Sequence, residues 1–229
     1  MTSSLAQRLE ALKARIRRAE RAAGREEGSV RLIAVSKTQP PEALVAAYGL
    51  GQREFGENYL QEAEAKQDRL AHFDIGWHFI GPLQSNKTRP IAARFAWVHG
   101  VDRIKIAQRL SEQRPAGMPP LNICLQVNVS GEASKSGVSP EELPELAAAV
   151  AALPRLRLRG LMAIPAPTDA VEAQRAAFRA VRRAFEGLSR YGLDTLSMGM
   201  SEDLEAAVLE GATLVRIGTA LFGARPPKA

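Results

Sequence analysis

Arg31-Leu32-Ile33-Ala34-Val35-Ser36-Lys37 is an apolar, partly β-branched run that ends on a charge, and Thr38-Gln39-Pro40-Pro41 follows with turn chemistry before a helical segment begins. Such a run reads as a buried strand feeding a helix, the unit from which parallel α/β sheets are wound. Lys37 then sits at the carboxyl end of that strand, where α/β folds build their sites. The chain holds 7 lysines against 24 arginines, so composition favours arginine wherever a bare positive charge would serve. An amine offers something a guanidinium does not. Desolvation lowers its pKa, and its neutral form condenses with a carbonyl to give a Schiff base. The plainer alternative is a strand-end lysine whose stem lies on apolar neighbours while its head reaches water.

The same alternation continues along the chain. It predicts strands near Arg31 to Lys37, Glu54 to Asn58, Trp77 to Gly81, Trp97 to Val101, Asn122 to Asn128, Leu156 to Ile164, Thr195 to Met198 and Leu214 to Gly218. Helix signals fall between them at Pro41 to Tyr48, Tyr59 to Leu70, Asn86 to Arg94, Arg103 to Gln113, Pro140 to Ala152, Asp169 to Ser189 and Glu202 to Glu210. Ser139 with Glu142 forms a capping-box pattern, which places Pro140 at the first helical position. Strands alternating with helices, without a linker or composition break, predict an α/β fold: a single (β/α)8 TIM barrel spanning residues 1–229. An extra amino-terminal helix within 1–28 packs on it, and 224–229 form a short tail. An open doubly wound sheet is the alternative.

Bulk composition narrows the function. A formal charge of +6 and a pI near 9.8 would suit nucleic acid. The arginines are scattered, however, and only 5% of residues are aromatic, which leaves few stacking platforms. The densest basic stretch, Lys13 to Arg25, belongs to a segment that carries Leu9, Leu12, Ile16 and Ala19 at helical spacing, so it reads as the wet face of a packed helix. Charges at Arg8, Glu10, Lys13 and Arg15 break any secretory apolar core. Nowhere do about 18 apolar residues run together. The expectation is a soluble, cytoplasmic protein that binds neither nucleic acid nor membrane. Cys124 lies in an apolar run and reads as a buried structural thiol. One cysteine and 3 histidines do not suggest a metal site.

In a barrel all strand carboxyl ends face one mouth. Collecting them gives Lys37, Asn58, the Phe79-Ile80-Gly81 corner, Asn128, Met162, Ser197 to Ser201, and Gly218-Thr219. Barrels often bind phosphate at the loops after strands seven and eight. There, Ser201 reads as a helix N-cap, Gly218 admits a phosphate close to the backbone, and Thr219 adds a hydroxyl. An ordinary N-cap and terminal turn would explain the same residues without a ligand. A Schiff-base lysine facing a phosphate cup suits a ligand with both an aldehyde and a phosphate, either pyridoxal phosphate or a sugar-phosphate aldol substrate. Arg216, two residues before Gly218 on the same strand face, reaches the middle of the mouth. Beside a cofactor ring nitrogen it would keep that nitrogen unprotonated and weaken the ring as an electron sink.

The chain contains the blocks Ala34-Val35-Ser36-Lys37-Thr38, Phe55-Gly56-Glu57-Asn58-Tyr59, Trp77-His78-Phe79-Ile80-Gly81-Pro82-Leu83-Gln84-Ser85-Asn86-Lys87, Gly160-Leu161-Met162, Leu196-Ser197-Met198-Gly199-Met200-Ser201 and Val215-Arg216-Ile217-Gly218-Thr219. Through these blocks it resembles the YggS/PROSC family of pyridoxal phosphate homeostasis proteins. The resemblance covers nearly the whole chain. It implies a single barrel similar to the amino-terminal domain of alanine racemase (fold type III), with pyridoxal 5'-phosphate held as a Schiff base on Lys37. It also implies that Ser201, Gly218 and Thr219 bind the phosphate, Arg216 faces the ring nitrogen, and Asn58 and Met198 belong to the cofactor surroundings. His78 reads as either a structural strand histidine or a ring contact. Racemases of this fold add a β domain that completes the site with a second acid/base group. Here the strands use the chain up by Gly223, so the expectation is a monomeric carrier that buffers or delivers the cofactor to apo enzymes, not an efficient catalyst. A true racemase and a Schiff-base aldolase remain the rival readings.

Overall fold

The structure, a computed structural model, describes residues 3–130 and 136–223. Its eight strands form one closed parallel barrel in sequence order. They are β1 (Arg31–Val35), β2 (Glu54–Glu57), β3 (Gly76–Phe79), β4 (Trp97–Val101), β5 (Leu121–Gln126), β6 (Leu156–Met162), β7 (Thr195–Ser197) and β8 (Leu214–Ile217). Closure comes from β1 pairing with β8, Leu32 opposite Val215 and Ala34 opposite Ile217. This is the expected (β/α)8 architecture, and the open sheet is excluded.

Around the barrel run α1 (Leu5–Ala22), α2 (Pro41–Gly49), α3 (Leu60–Arg69), α4 (Thr88–Arg94), α5 (Ile104–Gln113), α6 (Leu143–Ala151), α7 (Val171–Glu186), α8 (Leu204–Leu209) and the single turn α9 (Thr219–Phe222). Their inner faces complete a continuous apolar layer against the outer faces of the strands. The extra helix α1 opens with a capping box between Ser4 and Gln7 and buries Leu9, Leu12, Ile16 and Ala19, the residues its spacing singled out. The expected tail, Ala224 to Ala229, lies outside the described residues.

Two expected helix caps are not caps in the structure. The Ser139–Glu142 box forms, Glu142 N–H to Ser139 Oγ at 3.2 Å and Ser139 N–H to Glu142 Oε2 at 3.1 Å. It closes only a turn, however, and the helix begins at Leu143. Pro144 has no N–H to give the carbonyl of Pro140, so the ladder cannot run continuously from the box. Ser201 is likewise no N-cap. Asp203 occupies the cap position of α8, and its side chain accepts the N–H of Met200 at 2.6 Å.

Candidate functional site

The carboxyl ends of the strands open on a cavity of about 370 Å³, inside the ~300–1,000 Å³ usual for small-molecule sites. Lys37, Asn58, Ser201, Arg216, Gly218 and Thr219 all line it, and Val35, Ile80, Ile164 and Met200 contribute apolar wall. Glu202 stands exposed among the lining residues. Met198 is the expected site residue that stays out of the wall. It is fully buried in the apolar core, while Met200 is 39% exposed at the mouth. Loss of strand alternation explains the difference: residues two apart share a face in a strand, but β7 ends at Ser197 and Gly199, at φ 97°, turns the chain between the two methionines.

Lys37 lies two residues beyond β1, in a turn held from outside the barrel. The Ser36 carbonyl accepts Gln39 N–H at 3.0 Å and the ammonium of Lys66, from α3, at 2.7 Å. Ser36 Oγ donates to Glu57 Oε1 at 2.6 Å, and Lys66 Nζ donates to the same oxygen at 2.8 Å. Glu62 Oε2, also on α3, accepts the N–H of Thr38 at 2.8 Å. Thr38 needs that grip because it sits at φ 65°, a left-handed conformation costly for a β-branched residue. Burial pushes the Glu57 carboxyl above the usual carboxylate range, with Lys66 and Ser36 opposing. Lys66 and Glu57 were not foreseen. The scarcity of lysine that drew attention to Lys37 applied equally to Lys66, a lysine on the inner face of an amphipathic helix.

The loops after β7 and β8 are tied down by α1. Arg15 donates to the Ser201 carbonyl at 2.9 Å and pairs with both carboxylate oxygens of Glu205 at 2.7 and 2.8 Å. Arg8 donates to the Leu221 carbonyl at 2.6 Å. The basic face that reads as merely solvated therefore fixes the two loops that carry Ser201, Gly218 and Thr219.

Arg216 is 5% exposed. Its Nη1 donates to the Ser197 carbonyl and hydroxyl at 2.6 and 2.7 Å, and its Nη2 to the Ala163 carbonyl at 3.0 Å. Burial pushes the guanidinium down to about 10, Asp203 opposing, so it remains charged at neutral pH. His78 is fully buried and is not among the residues that line the cavity. Cys124 is fully buried, and burial pushes its thiol up to about 12. Among the described residues no cluster suited to a metal ion is found, and no helix is long and apolar enough to cross a membrane.

An aldehyde- and phosphate-bearing ring fits this donor set on observations of the cavity itself. Asn58 Oδ1 is buried without a hydrogen-bond partner. A Cβ on Gly218 would come within 3.3 Å of the Val35 carbonyl oxygen, so close packing against β1 keeps this lining position without a side chain. One amine, one buried guanidinium and the hydroxyls of Ser201 and Thr219 share the same wall.

Comparison with known proteins agrees with this architecture. Residues 7–226 match the family model described as alanine racemase, N-terminal domain. The chain is 66% identical over 223 residues to the pyridoxal phosphate homeostasis protein of Pseudomonas aeruginosa, covering 97% of this chain and 96% of that one. It is 52% identical over 231 residues to the protein of the same name from Escherichia coli, covering 97% of each. Among solved structures, PipY of Synechococcus elongatus with PLP bound superposes with a TM-score of 0.83 at 38% identity, covering 96% of this chain and all (100%) of that chain. Alanine racemase from Corynebacterium glutamicum shares the fold, with a TM-score of 0.66 at 19% identity over 95% of this chain and 61% of its own.

Proposed function

The chain belongs to the YggS/PROSC family of pyridoxal phosphate homeostasis proteins, and from that membership we propose that it binds pyridoxal 5'-phosphate reversibly and buffers or delivers it. The observation that carries this reading is the convergence of Lys37, Asn58, Arg216, Ser201, Gly218 and Thr219 on one cavity. When bound, the cofactor supplies an aldehyde for a Schiff base with the Lys37 amine. Ser201, Gly218 and Thr219 would hold the phosphate, and Arg216 would face the ring nitrogen. Asn58 Oδ1 offers the unused acceptor. Because Arg216 is a permanent donor anchored by three hydrogen bonds, it withholds a proton from that nitrogen.

The reading is of a carrier, not an enzyme. Racemisation needs a second acid/base group opposite the lysine. Apart from Lys37 and Arg216, the ionisable lining residue is Glu202, exposed at the mouth. All the residues invoked come from one chain, so a monomer suffices, and one cofactor-binding unit spans 1–229. Cytoplasmic residence and apo enzymes as recipients complete the proposal. Lys37→Ala is expected to abolish the violet-region absorbance of the loaded protein while leaving far-UV circular dichroism unchanged. Retention of the band in that variant would remove Lys37. Turnover of any amino acid well above that of free cofactor would replace the carrier by a racemase-like enzyme.

A further inference from the structure

Below the cavity floor, polar groups from five strands form a continuous hydrogen-bonded chain through the barrel, where branched aliphatic layers are the rule. Arg216 of β8 donates to Ser197 Oγ of β7 at 2.7 Å. Ser197 Oγ lies 2.8 Å from His99 Nδ1 of β4. His99 Nε2 lies 2.9 Å from His78 Nδ1 of β3, and His78 Nε2 lies 2.5 Å from Glu54 Oε2 of β2. Ser197, His99 and His78 are wholly buried.

The two ends fix everything between them. A carboxylate only accepts, so His78 donates from Nε2 and, as a neutral ring, accepts at Nδ1. His99 must then donate from Nε2 and accept at Nδ1. Ser197 gives its hydroxyl proton to His99 and keeps its lone pairs for Arg216, which only donates. Starting from the arginine gives the same direction. Were the proton of His99 on Nδ1, Ser197 Oγ would face two donors and its own hydrogen would need another acceptor.

The neighbourhood supports two neutral rings. Arg31 of β1 pairs with Glu54 at 3.4 Å and lies 5.6 Å from the Trp97 ring, which stacks on His78. Arg159 of β6 lies 4.7 Å from the same indole. The Cys124 thiol of β5 is held neutral, its pKa raised to about 12. Burial holds both imidazoles below their ordinary range, with Arg31 adding to the effect on each, His78 and Arg216 adding to it on His99, and Glu54 opposing it on His78.

We infer that His99, acting through Ser197 and backed by His78 and Glu54, is a positioning residue for Arg216: it orients the serine hydroxyl so that the guanidinium meets only acceptors from below and presents its remaining donors to the cavity. The consequence for cofactor binding rests on the reading of Arg216 given above, whereas the direction of the chain does not.

Two measurements separate these. Long-range proton–nitrogen NMR on histidine-labelled, cofactor-free protein is expected to show His78 and His99 as neutral Nε2–H tautomers at pH 7. An Nδ1–H tautomer or an imidazolium at His99 would overturn the inference without reference to any cofactor. Pyridoxal phosphate binding is then compared in His99→Gln and His99→Phe, each first shown by circular dichroism to fold. Glutamine can accept from Ser197 and donate to His78, so it is expected to bind within about twofold of the parent, while phenylalanine weakens binding about five- to tenfold, the worth of one ordinary hydrogen bond. A role in filling volume would favour phenylalanine, and equal binding by both variants would overturn the inference. A parent protein that takes up no pyridoxal phosphate would sink the cofactor reading and leave the tautomer result to stand or fall alone.

Discussion

Replacing Lys66 by methionine tests how the turn that carries Lys37 is held. Lys66 is 5% exposed and Glu57 is wholly buried, so the variant strands a carboxylate whose Oε2 already has no partner. Ser36 keeps the Gln39 N–H on its carbonyl, and the loss therefore falls mainly on Glu57. Removing one member of a buried pair costs about 3–5 kcal/mol. The cost must also depend on pH. Glu57 titrates above its ordinary value because of burial, and losing Lys66 raises it further. The folded variant then binds a proton that the unfolded chain releases above pH ~4.5, so its stability falls as pH rises through the folded-state pKa, by up to ~1.4 kcal/mol per pH unit. Urea unfolding of Lys66→Met between pH 5.5 and 8 is expected to show the largest deficit at pH 8. Lys66→Met/Glu57→Gln should recover about half of it or more, because the buried charge is gone. A deficit below about 1 kcal/mol at every pH, typical of an exposed pair, would refute the reasoning.

Other outcomes follow from the same geometry. His78 and His99 are held below their ordinary value of 6.5, chiefly by burial, so the unfolded chain takes up protons that the folded one refuses, and native stability declines as pH drops below about 6.5. Glu57 pulls the opposite way, so the readout is a difference: His99→Gln should remove up to ~1.4 kcal/mol per pH unit of that decline, and an unchanged slope would contradict a neutral buried His99. The Cys124 thiol, fully buried and raised to about 12, should react with a disulfide reagent only on unfolding; stoichiometric labelling of native protein would show that the barrel interior opens. Gly160→Ala would place a Cβ 1.7 Å from the Thr195 carbonyl oxygen, a backbone overlap expected to cost at least about 4 kcal/mol or prevent folding, and a Tm within a few degrees of the parent would contradict the β6–β7 register.

The barrel was legible because each strand is an apolar run ended by polar or glycine-rich chemistry, and because no linker interrupts the alternation. Its strand ends were overread by a residue or more at every strand except β4. Ser36 and Lys37 show why: they leave the ladder, yet the backbone groups around them remain satisfied by Lys66 and Glu62, and a linear pattern does not reveal that substitution of side chain for strand. Ser201 was placed correctly in the cavity wall and wrongly as a cap, since a serine near a helix start cannot announce that Asp203 will take the position. The buried chain from Arg216 to Glu54 was legible only in part. Two of the three histidines lie on neighbouring strands at inward-facing positions, but their connection through Ser197 needs the closed barrel, which brings β4 and β7 face to face across its axis.

The most direct test of the central claim is to load the purified protein with pyridoxal phosphate, record its absorbance before and after borohydride, and map the modified lysine by mass spectrometry. The account predicts a violet-region band that collapses on reduction and a pyridoxyl adduct on the peptide containing Lys37. A protein that stays colourless with added cofactor, or an adduct confined to another lysine, would contradict it.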